Sequence, residues 1–184
     1  MVKSLPLHQS LIIQNLLAPS LKELQICNCT RLHHLISCYD MASFYAEIEI
    51  NAPKAKVWQV LFQKQQWHKW NTFLFDLDSN APFKQGQEVF LSLRRYPGEE
   101  ETEFQPTVTL VQSGTCLAWV SSIPGFQNEY IFELQEIGVG RTKYVHRDNF
   151  SGVLTRVFLP FIREDEQQGI KRMARELKRY VEQM

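Results

Sequence analysis

Tyr144, His146 and Asp148 alternate along the run Arg141 to Asp148, with Lys143, Val145 and Arg147 between them. In a strand this alternation puts the two sets on opposite faces, and the set bearing Lys143 and Arg147 belongs in water. His146 is therefore expected to point inward. A neutral imidazole donates and accepts a hydrogen bond at once, and its unperturbed pKa of about 6.5 suits either ligand contact or proton transfer. Three readings of His146 stay open. It is a structural histidine bonded to Asp148 or to a backbone group, a ligand contact, or a general acid or base for which Asp148 is the orienting partner. The sequence offers no obvious further base or nucleophile, no glycine-rich phosphate loop, no HExxH, no GxSxG and no convincing pair of carboxylates.

Other chemistry-bearing residues are weaker candidates. Cys27, Cys29, His33, His34 and Cys38 could hold a soft metal, but the first two cysteines are one residue apart where structural zinc sites use two to four, so no metal site is expected. The acidic runs Glu99 to Glu101 and Glu164 to Glu166 read as solvated, one in a loop and one at a helix start. Lys171, Arg172, Arg175, Lys178 and Arg179 read as a solvated helix face, with acidic lipid head groups or a protein partner as the alternative. Twelve Phe, six Tyr and four Trp supply far more apolar surface than a site needs, and most of it, Trp58 included, belongs to the core.

The elements that must position these residues are legible from residue 41 onward. Phe44, Ala46, Ile48 and Ile50 alternate with Tyr45, Glu47 and Glu49, a half-buried strand. Pro53 then opens a short helix carrying Val57, Trp58 and Leu61, and a second short helix over Gln65 to Lys69 puts Trp67 and Trp70 on one face before Asn71 ends it. Strands are expected at Glu88–Arg94, Phe104–Val111, Cys116–Ser121, Asn128–Gln135 and Arg141–Asp148, joined by short glycine turns into an antiparallel meander. After Phe150 the period turns helical, with one stripe of Leu154, Val157, Phe158 and Phe161 and another of Ile170, Met173, Ala174, Leu177 and Val181. Pro160 predicts a kink or a fresh helix start there, which would put the acidic run at the positive end of the helix dipole.

Composition bounds the rest. The chain has 184 residues, 44% of them apolar, enough for one core, and its net charge of zero provides no field for nucleic acid. No run is long enough to span a membrane, and the segment Leu11 to Leu17, interrupted by Gln14 and Asn15, makes a poor signal peptide. Residues 1–40 are expected to be a weakly ordered extension ahead of one domain over 41–184, in a cytoplasmic protein with free thiols.

The segment IEINAPKAKVWQVLFQKQQWHKWNTF resembles the opening of the polyketide cyclase/dehydrase and lipid-transport family of the START-like, or helix-grip, superfamily. The resemblance rests on Ala52-Pro53, Val57-Trp58, and Trp67 through Trp70-Asn71. GRTKYVHRDNFSGVL, from Gly140 to Leu154, resembles the family's last strand, and Phe104, Pro106, Val108 and Trp119 match its middle strands. The likeness covers about residues 44 to 183. It implies an α+β fold, with a curved antiparallel sheet wrapped around a long C-terminal helix and two short helices after the first strand. It also implies an apolar cavity. Tyr144 and His146 would line the concave side, Phe104, Trp119, Tyr130 and Phe132 are further candidates on strands, and Phe150, Phe158 and Phe161 would form the helical wall. The expected function is binding or carriage of a small hydrophobic ligand without a cofactor. A cyclase- or hydrolase-like enzyme using His146, and a co-chaperone-like interaction module, are the alternatives, because one scaffold serves many functions.

Overall fold

The computed structural model describes residues 42–184. The expected extension over 1–40 and the Cys27 to Cys38 cluster lie outside the described residues. Strand β1 spans Ala42–Ile50, and helix α1 spans Lys54–Phe62. A 3-10 helix over Lys64–Lys69 follows. Next come β2 (Leu74–Asp76), β3 (Leu91–Leu93), β4 (Thr102–Phe104), β5 (Thr107–Gln112), β6 (Cys116–Ile123), β7 (Phe126–Gly138), β8 (Arg141–Ser151) and helix α2 (Thr155–Gln183). Five antiparallel strands form one curved sheet in the order β1-β8-β7-β6-β5, and β2-β3-β4 form a second. The long α2 packs its stripe of Ile170, Met173, Ala174, Leu177 and Val181 into the core, the helix-grip arrangement.

In β1, Phe44, Ala46 and Ile50 are buried and Tyr45, Glu47 and Glu49 exposed, as the alternation requires. The outer face carries cross-strand pairs, Glu47 with Lys143 and Glu49 with Arg141. Beyond the 3-10 helix, the Asn71 side chain accepts from the N–H groups of Phe73 (2.9 Å) and Leu74 (3.2 Å) and turns the chain into β2. Buried Lys64 pairs with Asp76 and holds the 3-10 helix against that strand.

Three expectations are corrected. The strand expected over Phe104–Val111 is two strands in different sheets, because Pro106 has no N–H to continue a ladder. The segment Glu88–Arg94 is a strand only over Leu91–Leu93, with an isolated bridge from Glu88 to Thr107, and the three-residue β2 was too short to read. Helix α2 starts at Thr155, not near Pro160, and runs through the proline. Its first turn is seated on the β6–β7 turn, where Gly125 O accepts from Leu154 N at 2.9 Å. Gly152 makes this approach possible, because it has φ +107° and a Cβ there would stand 2.4 Å from Gly125 O.

Candidate functional site

The inner face of β8 presents Tyr144, His146, Asp148 and Phe150, all buried. The inward parity read from the sequence places them correctly. Register builds two rows across the sheet from them. His146 stands opposite Ala46 of β1 and Phe132 of β7, which faces Leu117 of β6. Asp148 stands opposite Phe44 and Tyr130, which faces Trp119 and then Val108. Aromatic rings close around the imidazole, with centroids of Phe132 at 4.3 Å, Tyr130 at 5.6 Å and Phe73 at 6.4 Å. Phe104 is half-buried and stacks on Tyr130. Phe150 and Phe158 meet through Phe126 at one end of this face, at 5.8 and 5.4 Å.

Phe161 does not join the helical wall: it is 71% exposed. Counting by fours from Phe158 gives Ile162, Glu166 and Ile170, and Phe161 falls off that face.

The same count exposes the site residue that sequence reasoning missed. Glu166 sits on the buried stripe of α2 and is 1% exposed, so the acidic run Glu164 to Glu166 is not wholly solvated. Its carboxylate accepts from Tyr130 OH at 2.6 Å and from Arg95 Nε at 3.0 Å. Arg95, on the loop after β3, also pairs with Glu99 at 2.9 Å. Burial alone would lower the Arg95 pKa, and the Glu166 and Glu99 carboxylates outweigh it and raise it. Arg172 of α2 holds this loop, donating to the carbonyls of Arg94 (2.7 Å) and Arg95 (2.8 Å) and to Thr72 Oγ1 (3.0 Å). It is therefore a clamp, not part of a freely solvated face.

Asp148 is the counterpart of Glu166. Burial raises its pKa well above the usual value, and the neighbouring Glu166 carboxylate raises it further against smaller opposing effects of Arg95 and Asn128. Neither of its oxygens meets hydrogen-bond geometry with a partner among the described residues. His146 Nδ1 and Nε2, Tyr144 OH, Trp119 Nε1 and Asn128 Oδ1 are likewise buried without one. The reading of His146 as bonded to Asp148 or to backbone is therefore not met. Burial pushes the His146 pKa down to about 3. The imidazole is neutral at physiological pH and suits hydrogen bonding better than proton transfer.

These shifts predict a pH profile. Unfolded Asp148 titrates near 3.8 and the folded group well above, so between them the folded state holds more protons and stability falls as pH rises. For His146 the folded value of about 3 lies below 6.5, so stability falls as pH drops through that window. Where the two windows overlap, the groups oppose each other, Asp148 favouring the folded state at lower pH and His146 at higher pH. Urea denaturation across about pH 4 to 9 should show that wild type carries a fall in stability with rising pH, of up to about 1.4 kcal/mol per pH unit, that Asp148→Asn removes. An unaltered slope in the variant would refute the assignment.

A separate external cleft of about 300 Å³ lies between β1 and α2, lined by Tyr45, Ala46, Glu47, Ile48, Lys171, Ala174 and Arg175. Among the described residues no group of three potential metal ligands occurs. No described helix is long and apolar enough to cross a membrane.

The polyketide cyclase / dehydrase and lipid transport family matches residues 41–182. The chain belongs to this family. A comparison with curated proteins finds no match. Among solved structures, a START superfamily protein from Mycobacterium smegmatis superposes with a TM-score of 0.59 at 16% identity, over 79% of this chain and 99% of that one. Norcoclaurine synthase from Thalictrum flavum gives 0.59 at 14%, over 85% and 97%. A protein from Helicobacter pylori gives 0.59 at 14%, over 86% and 99%. At these identities the likeness is one of fold.

Proposed function

We propose that this family member binds and carries a small, largely apolar ligand between the inner face of β6–β8 and α2, as a cytoplasmic carrier and not an enzyme. One observation supports this most directly. His146, Tyr144, Trp119 and Asp148 bring hydrogen-bonding atoms into one aromatic interior without satisfying one another. Buried polar groups are rarely left so, since each costs about 1–3 kcal/mol, and a few convergent polar groups within an apolar lining are what orient a small molecule. Phe104, Phe132 and Phe150 supply apolar surface around them, and Phe158 packs on Phe126 at the end of the same face.

Native mass spectrometry of the full chain purified from its own source, followed by gentle release, tests the reading. A reproducible apolar molecule, lost in His146→Leu or Phe158→Ala, is the expected result. A bare chain that also ignores the dye N-phenyl-1-naphthylamine would end it. Tyr144→Phe discriminates further. The hydroxyl has no hydrogen-bond partner among the described residues, so its removal should change folding stability by less than about 1 kcal/mol while weakening ligand binding several-fold. A stability loss above about 2 kcal/mol, read by urea denaturation, would mean the hydroxyl serves the fold.

The adjacent Asp148 and Glu166 carboxyls favour a second reading, an acid–base enzyme. In that case Asp148 is the proton donor, a role the low His146 pKa denies to the imidazole. Turnover abolished by Asp148→Asn but retained in His146→Gln would favour it over carriage.

A further inference from the structure

The charges inside the domain do not balance, and the imbalance has a chemical preference. Arg95 is bonded to two carboxylates, Glu166 and Glu99, and a third carboxyl, Asp148, lies within reach of its field and beside Glu166. Arg95 is committed to Glu166 and Glu99, and Tyr130 donates to Glu166 as well. Asp148, wholly buried on the facing strand, has Glu166 and Asn128 beside it but no ion pair and no partner in hydrogen-bond geometry among the described residues. Around it stand ring systems: Tyr130 directly across the strand pair, Trp119 stacked 5.7 Å from Tyr130, and Phe132 4.7 Å from Trp119. Ring faces carry negative potential and attract cations, most strongly where water is excluded.

The geometry points to a ligand with a positively charged amine, a primary ammonium on an apolar body, its N–H groups on Asp148 and Glu166 and its flank against Trp119 and Tyr130. This rests on the ligand-binding reading above and names the ligand's class. An anionic ligand such as a fatty acid would bring another negative charge to an interior already short of positive ones. A neutral ligand could donate a hydrogen bond to Asp148 but would bring no positive charge. A primary ammonium supplies three donors and one positive charge, and among the described residues neither Asp148 nor Asn128 Oδ1 meets a donor in hydrogen-bond geometry. Binding is then an exchange. The ammonium enters with its charge, the Asp148 carboxyl gives its proton to solvent, and the interior carries the same net charge before and after.

The groups facing Asp148 are Glu166 from α2, Arg95 from the loop after β3, Tyr130 and Asn128 from β7, and His146 along its own strand. His146 stays neutral, so the proton released is that of Asp148.

Isothermal titration of the full chain with benzylamine, benzyl alcohol and benzoate varies the charge on a nearly constant body. Benzylamine should bind at least about tenfold more tightly than the alcohol, and benzoate most weakly. Below the pH at which free Asp148 titrates, buffers of different ionisation enthalpy should report up to about one proton released per amine bound, and amine affinity should rise with pH by up to about tenfold per unit. Asp148→Asn should bring the amine-to-alcohol ratio near one and abolish the release. Proton release is read on the wild-type chain, so the test survives a variant that folds poorly. Equal affinities without proton release, or benzoate tightest, would overturn the amine assignment and leave the carrier reading standing. Failure of all three to bind would overturn the amine assignment alone if the chain still takes up N-phenyl-1-naphthylamine, and both readings if a bare chain ignores the dye as well.

Discussion

Replacing Gly169 with alanine should destabilise the domain by about 2–3 kcal/mol, although glycine to alanine inside a helix ordinarily gains about 1 kcal/mol. Gly169 lies mid-way along α2, where a Cβ would stand 2.3 Å from Cε2 and 2.5 Å from Cδ2 of Phe73. The ring cannot swing aside. Phe73 is wholly buried, lies under the Arg172 guanidinium and packs toward His146. One side chain thus sits between the helix and the inner face of the sheet, and the glycine sets how closely the two approach. Urea denaturation should show a lowered midpoint with an unchanged slope. Phe73→Leu should recover part of the loss when added to Gly169→Ala, since a smaller, more flexible side chain can yield. A stabilised Gly169→Ala variant would contradict this packing.

The second large effect belongs to Glu166. Glu166→Ala should cost about 3 kcal/mol, because it leaves the Tyr130 hydroxyl buried without its acceptor and Arg95 with only Glu99. Glu164→Ala, two residues away on the exposed side of the same helix, should change stability by less than about 0.5 kcal/mol. Arg95→Met added to Glu166→Ala should return much of the loss, since removing both members of a buried pair costs less than orphaning one. If Glu166→Ala and Glu164→Ala prove alike by denaturant titration, the carboxylate is not bonded as described.

The contrast between Glu164 and Glu166 shows what was legible in the sequence. Strand parity needs only a period of two, and it placed Tyr144, His146 and Asp148 inward correctly. The family resemblance and the helix-grip fold were likewise readable from ordered blocks of residues. Glu166 was misread because three acidic residues in a row look solvated. Yet it precedes Ile170 by four and Met173 by seven, on the apolar stripe, and a charge on that stripe is a signal. Arg95 had no such signal. It lies in a loop, and its partner is 71 residues away, so only the folded chain brings them together. The start of α2 was missed for a third reason: it depends on contact with the β6–β7 turn, a tertiary support that overrides the warning from Pro160.

The Arg172 clamp bears on how this chain can vary in length. Loops between short strands commonly accept insertions, because little else depends on their spacing. Here Arg172 grips two successive carbonyls, Arg94 and Arg95, while the Arg95 side chain reaches Glu166 on the same helix, just under two turns earlier. One added residue between Leu93 and Arg95 would move either the carbonyls off the clamp or the guanidinium off its carboxylate. The loop is therefore as fixed in register as a strand up to Arg95. Room for extra residues begins only at its exposed tip, Tyr96 to Gly98.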